Sequence, residues 1–177
     1  LAVLSGNCVI ADCDVDAADL HLVLEPEIIS SEDFSGGNRA EIRTEDCSLC
    51  GKCMDLCRFN AIYRNPETKS LHIDPIACEG CGVCAWFCPE KAIALFPAVN
   101  GKCYVSKTRH GTMVHAKLGI AEENSGKLVS LVRKKARPLA EEQGRSLLII
   151  DGAPGIGCPV IASLTGADFV LIVTEPT

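Results

Sequence analysis

The chain has 177 residues, 47% of them apolar and 23% charged, which is enough for a packed core and excludes wholesale disorder. A formal net charge of -6 argues against nucleic acid as a partner. Apolar runs such as Leu147 to Ile150 are too short for a membrane span, and no signal-peptide pattern is present, so a cytoplasmic location is expected.

The charge is unevenly spread. Residues 1–57 carry 12 acids and 3 bases, and residues 58–177 carry 11 acids and 14 bases. The basic run Arg133, Lys134, Lys135 and Arg137 reads as a solvated helix face. Twelve cysteines in clusters, without an export signal, point to metal binding rather than to a disulfide scaffold.

The predicted elements begin with the end of a helix closed by Gly6. Cys8 to Asp12 then reads as a short buried strand of a parallel sheet. Asp12, Asp14, Asp16 and Asp19 gather directly after it, where α/β proteins bind ligands. For Asp16 and Asp19 solvation and helix N-terminal charge are sufficient explanations.

Residues 47–62 and 78–93 form an internal repeat with an offset of 31, sharing four cysteines, Gly51/Gly82, Ala61/Ala92 and Ile62/Ile93. Each half is Cys-x-x-Cys-x-x-Cys-x-x-x-Cys, the spacing that holds cubane iron–sulfur clusters, in which the fourth cysteine ligates the other cluster. One [4Fe–4S] cluster is therefore assigned to Cys47, Cys50, Cys53 and Cys88, and a second to Cys78, Cys81, Cys84 and Cys57. Two four-cysteine zinc sites would use the same eight thiolates, but zinc sites usually pair two Cys-x-x-Cys knuckles and need no third cysteine three residues on. Gly51 and Gly82 suit a loop that approaches sulfur closely. This segment resembles bacterial two-cluster ferredoxins over residues 45–97, with Arg58 where such ferredoxins often have proline.

Ala61 to Arg64 and Leu71 to Asp74 read as a hairpin across Asn65–Thr68. Ile62, Tyr63, Ile73, Ile76, Phe87 and Ile93 are the expected apolar shell, with Trp86 and Phe87 packed against a cluster. A second hairpin is expected over Lys102–Ser106 and Thr112–Ala116. A helix follows from about Ser125, as N-cap, to Glu142, kinked or broken at Pro138. Residues 146–157, SLLIIDGAPGIG, have the form of a Walker B strand, whose terminal Asp151 holds Mg2+ directly or through water. A last strand is expected at Phe169 to Thr174, ending in Glu175-Pro176.

DCDVDAADLHLVL, DGAPGIGCPVIASLTGAD and LIVTEPT together resemble the MinD/Mrp-type P-loop ATPases, more narrowly the subgroup with a two-cluster ferredoxin inserted after DCDVDA. The resemblance implies an incomplete P-loop NTPase-type α/β fold, a parallel sheet with helices on both faces, carrying an inserted α+β bacterial ferredoxin-like domain. The implied organisation is residues 1–40 and 99–177 for the nucleotide-binding domain and 41–98 for the insert. Asp14 would orient water or Mg2+ near the γ-phosphate, supported by Asp12 from the strand end. Asp151 would hold the Mg2+ shell, and Gly155 would sense the γ-phosphate through its N–H.

The chain departs from that family in lacking the lysine-rich KGGxGKT loop, and truncation is the expected reason. ATP and Mg2+ are thus implied for the full-length protein, and these 177 residues alone are expected neither to bind ATP tightly nor to hydrolyse it. A redox or iron–sulfur acceptor protein is the implied partner, and a homodimer the implied full-length state. Cys8, Cys13, Cys103 and Cys158 read as small buried hydrophobes. A bridging cluster at Cys158 is the alternative there, since the related nitrogenase iron protein has a ligating cysteine in a similar switch position. Three functions remain open: a nucleotide-gated iron–sulfur protein, a plain electron-transfer module on a non-hydrolysing scaffold, and a redox or iron sensor.

Overall fold

The computed structural model describes residues 1–119 and 125–174. In chain order the elements are α1 (Ala2–Ser5), β1 (Cys8–Asp12), α2 (Leu20–Leu24), β2 (Glu27–Phe34), β3 (Gly37–Ile42), α3 (Lys52–Leu56), β4 (Ile62–Arg64) and β5 (Leu71–Ile73). They continue with α4 (Val83–Trp86), β6 (Ile93–Ala98), β7 (Gly101–Thr108), β8 (Gly111–Leu118), α5 (Ser125–Glu142), β9 (Leu148–Asp151) and α6 (Cys158–Leu164). They fall into two compact units, residues 1–34 with those from Asn100 onward, and Ser35–Val99.

The first unit is built on a five-stranded sheet of order β2-β7-β8-β1-β9. β1 runs parallel to both neighbours, with Val9 opposite Thr112 and Leu148. Every residue of β1 is buried, as befits a central strand covered on both faces. Its Val9 and Ala11, with Cys13 just beyond its end, pack against Leu128, Val129, Val132, Ala136 and Ala140 of α5. Cys8 and Ile10 face the other way, toward Met113 and Leu24. The turn before β8 requires Gly111, whose φ is 136° and whose Cβ would lie 1.9 Å from the Cys8 carbonyl oxygen.

Four features of this unit differ from the sequence expectations. The sheet is mixed, because β7 is antiparallel to both β2 and β8; the β7–β8 hairpin enters it as a pair. Helix α5 continues through Pro138. Pro138 is solvent-exposed, and the apolar stripe of α5, anchored on the sheet on either side of it, outweighs one missing backbone bond. Ser125 is itself helical rather than the cap. Residues 169–174 form no strand, and their apolar side chains are exposed, Ile172 by 79% and Val173 by 85%. Glu175-Pro176 lies outside the described residues.

The second unit repeats one backbone design twice. Gly51 and Gly82 precede α3 and α4 with φ of 79° and 80°. Leu49 and Gly80 share φ of 58° and 60°, and Asn60 and Lys91 share 51° and 50°. Each half ends in a two-stranded antiparallel ribbon, β4 with β5 (Ile62 opposite Ile73) and β6 with β3 (Ile93 opposite Ile42). Ala61 and Ala92 accept matching bonds from the Asp74 and Arg43 N–H groups at 2.7 and 2.8 Å.

The core holds Ala40, Cys53, Ile62, Leu71 and Ile93, with Ile73 packed against it. Tyr63, Ile76 and Phe87 are exposed, contrary to the expected shell, and Trp86 is 85% exposed. Tyr63 alternates to the outer face of its short strand and stacks on His72. The other three lie outside the ribbons, on loops and on α4.

Candidate metal centre

The repeated loops of the second unit frame two recesses. Cys47, Cys50, Cys53 and Cys88 line the first, walled by Ile42, Leu71, Pro89, Ala92 and Ile93, with the exposed Ser48, Lys52 and Glu90 also lining it. Cys57, Cys78, Cys81 and Cys84 line the second, walled by Ala40, Leu56, Phe59, Ala61, Ile62, Ile73 and Val83, with the exposed Glu79 also lining it. Each recess therefore takes three cysteines from one half of the repeat and one from the other. The left-handed glycines turn each loop sharply ahead of a short helix, which carries the third cysteine, Cys53 or Cys84.

Four cysteines line each recess. Among the described residues no group of three His, Cys, Asp or Glu side chains is placed to hold a single ion. Four thiolates per recess are the donor set that a four-iron cube requires. Burial raises the Cys53 and Cys84 thiols above their ordinary range, partly offset by the Met54 and Ala85 N–H groups. Loading metal must therefore displace protons from these thiols. The Ala92 N–H also donates to Cys88 Sγ at 3.3 Å.

The predicted aspartates lie in the first unit, at the carboxyl ends of parallel strands. Asp12 stands opposite Asp151 in register, and the Cys13 N–H extends the ladder to the Asp151 carbonyl at 2.8 Å. Asp12 is 1% exposed. Its Oδ1 accepts the Asp14 N–H at 3.2 Å, while Oδ2 has no hydrogen-bond partner. Burial, reinforced by Asp151 and Asp14, pushes its carboxyl up to about 6, against the pull of the Asp14 N–H. Burial and Asp14 raise Asp151 as well. Asp14 Oδ1 accepts the Ala17 N–H. Asp16 and Asp19 are exposed. Gly155 has φ of 98° in an exposed loop.

Cys8, Cys13 and Cys103 are buried and Cys158 is exposed, so the buried-hydrophobe expectation fails for Cys158. It begins α6, held close to α5 because a Cβ on Gly126 would come within 3.0 Å of its Cβ. Burial drives the Cys13 thiol to about 12 and the Cys103 thiol to about 11. Two residues were not singled out from the sequence. His21 lies close enough to favour the Asp12 carboxylate, and Lys52 stands at the first recess. The repeat itself carries a signal for Lys52, because its counterpart is the apolar Val83.

Residues 46–92 match the 4Fe-4S dicluster domain family. This segment is a ferredoxin-type iron–sulfur domain. Over short stretches the chain is similar to the indolepyruvate oxidoreductase subunit IorA, for example 39% identical over 52 residues of the Pyrococcus abyssi protein, 29% of this chain and 8% of that one. An uncharacterized protein of Methanocaldococcus jannaschii is 35% identical across 97% of this chain and 58% of its own length. A second protein of that organism is 28% identical across 94% of this chain and 57% of its own. The chain thus spans little more than half the length of these relatives. No described helix is long and apolar enough to cross a membrane.

Proposed function

We propose that this chain is an electron-transfer module in which Cys47, Cys50, Cys53 and Cys88 hold one [4Fe–4S] cluster and Cys57, Cys78, Cys81 and Cys84 hold the other. The observation that carries the reading is the four-cysteine lining of each recess. A bound cluster supplies a one-electron couple. The thiolates hold it, the apolar walls limit water, and the Ala92 N–H at Cys88 favours added negative charge. The partner is a redox protein, in keeping with the oxidoreductase subunits to which the domain is similar.

Anaerobic purification tests this directly. Roughly eight iron and eight sulfide per chain are expected from two cubane clusters, with reduction giving a low-temperature EPR signal. Colourless protein, or zinc in place of iron, would sink the proposal.

A second reading is favoured by one observation, the buried and unpartnered Oδ2 of Asp12 beside Asp151. In a longer chain that supplies the phosphate-binding loop, Asp151, Asp14 and Asp12 would gather Mg2+ and a nucleotide. The MinD/Mrp-type coupling of ATP to electron or cluster delivery belongs to this reading, as does the homodimer. Its test is whether ATP with Mg2+ changes the redox spectrum of the full-length protein; an unchanged spectrum leaves the plain electron-transfer reading alone.

A further inference from the structure

The two halves of the repeat share their backbone but not their charges. At the first recess the exposed lining carries Lys52 and Glu90, which offset each other. At the second it carries Glu79 alone. Lys52 replaces the apolar Val83 of the other half, and its ammonium is held over the ring of Phe87, 5.9 Å from the centroid, next to ligand Cys88.

Arg43 and Arg58, the arginines nearest in space or sequence to Cys88 and Cys57, do not reverse this difference. Arg43 is near enough to Cys88 to sense its charge, but its Nε bonds Asp46 at 2.6 Å, which neutralises it. Arg58 follows Cys57 but is exposed and forms no part of the second recess. The hydrogen bond from Ala92 to Cys88 acts in the same direction as Lys52. Adding an electron adds negative charge, so nearby positive charge and N–H donors raise a cluster's potential, and nearby negative charge lowers it.

We propose that the two sites are electronically unequal and that Lys52, set against Glu79, makes the site of Cys47, Cys50, Cys53 and Cys88 the resting place of the first electron. This rests on the two-cluster reading above. One electron from an external low-potential reductant enters the module. If it arrives at the Cys57, Cys78, Cys81 and Cys84 site, it passes on to the first, so that the second is reoxidised as the first is reduced. At least a tenfold preference is expected, which corresponds to about 59 mV for a one-electron couple.

The test is a dithionite titration of anaerobically purified protein, followed by EPR. Iron and sulfide are counted first, so that missing clusters indict the two-cluster reading and not this inference. Wild type should reduce in two steps, and Cys81→Ser should alter the signal of the later one. Lys52→Gln should lower the first step and Glu79→Gln should raise the second, each narrowing the preference below about threefold, or roughly half the 59 mV per decade. Lys52→Arg should keep the two steps apart. Because these charges are exposed, added salt should also narrow the gap. A single step in loaded wild type, an unmoved first step in Lys52→Gln, or a larger shift from Arg58→Gln would overturn the assignment.

Discussion

Replacing Asp12 by asparagine removes a charge that the fold holds at a cost. Asp12 is 1% exposed, its Oδ2 is unpartnered, and its carboxyl is raised from 3.8 to about 6. With the folded value above the unfolded one, the native state binds more protons than the unfolded chain between those two values. Wild-type stability should therefore fall as pH rises from about 4 to about 6 and level off above. The shift from 3.8 to about 6 corresponds to about 3 kcal/mol at pH near 7.5 and about half that near pH 5.

Asp12→Asn keeps the shape and the acceptor for the Asp14 N–H but sets an amide N–H2 where Oδ2 has no partner, so it should stabilise at neutral pH by less than the full amount and flatten the curve. The assay is anaerobic urea unfolding in Mg2+-free buffer, read by circular dichroism at 222 nm. That signal is dominated by α5, the 18-residue helix of the same unit. A variant no more stable than wild type at neutral pH, or with the same pH slope, would refute the reasoning and imply that Asp12 finds a cation or water in solution.

Pro138→Ala should restore the missing bond to the Lys134 carbonyl in an exposed helix interior and raise stability by about 1–3 kcal/mol, measured by the same unfolding assay. Gly80→Ala should fail at the second recess, because its Cβ would lie 1.8 Å from the Asn38 oxygen at φ of 60°; about half the iron should be lost on purification, whereas full iron content would contradict the close approach. In the cluster-loaded protein a thiol reagent should label Cys158 quickly while sparing Cys8, Cys13 and Cys103, three buried thiols of which Cys13 and Cys103 are also raised. Mass spectrometry of the labelled peptides decides that.

Much of this protein is written in short-range patterns. The cysteine spacing and the offset of 31 identify the cluster-binding repeat, because loop length limits where consecutive thiols can point. The bounds of α5 and β1 and the pairing of β7 with β8 follow from apolar periodicity and turn residues, which act over a few positions. Cys8–Asp12 is legible as a buried parallel strand because its apolar run is continuous, but elsewhere burial and direction depend on neighbours far along the chain. Only the tertiary structure inserts an antiparallel pair into the sheet, exposes Tyr63, Ile76 and Phe87, carries α5 past Pro138 and leaves residues 169–174 without a strand partner. The same holds for charge. Asp12 becomes unusual because its strand is buried along its whole length and Asp151 stands beside it, and Lys52 matters because folding brings it beside Phe87 and Cys88, more than thirty residues away.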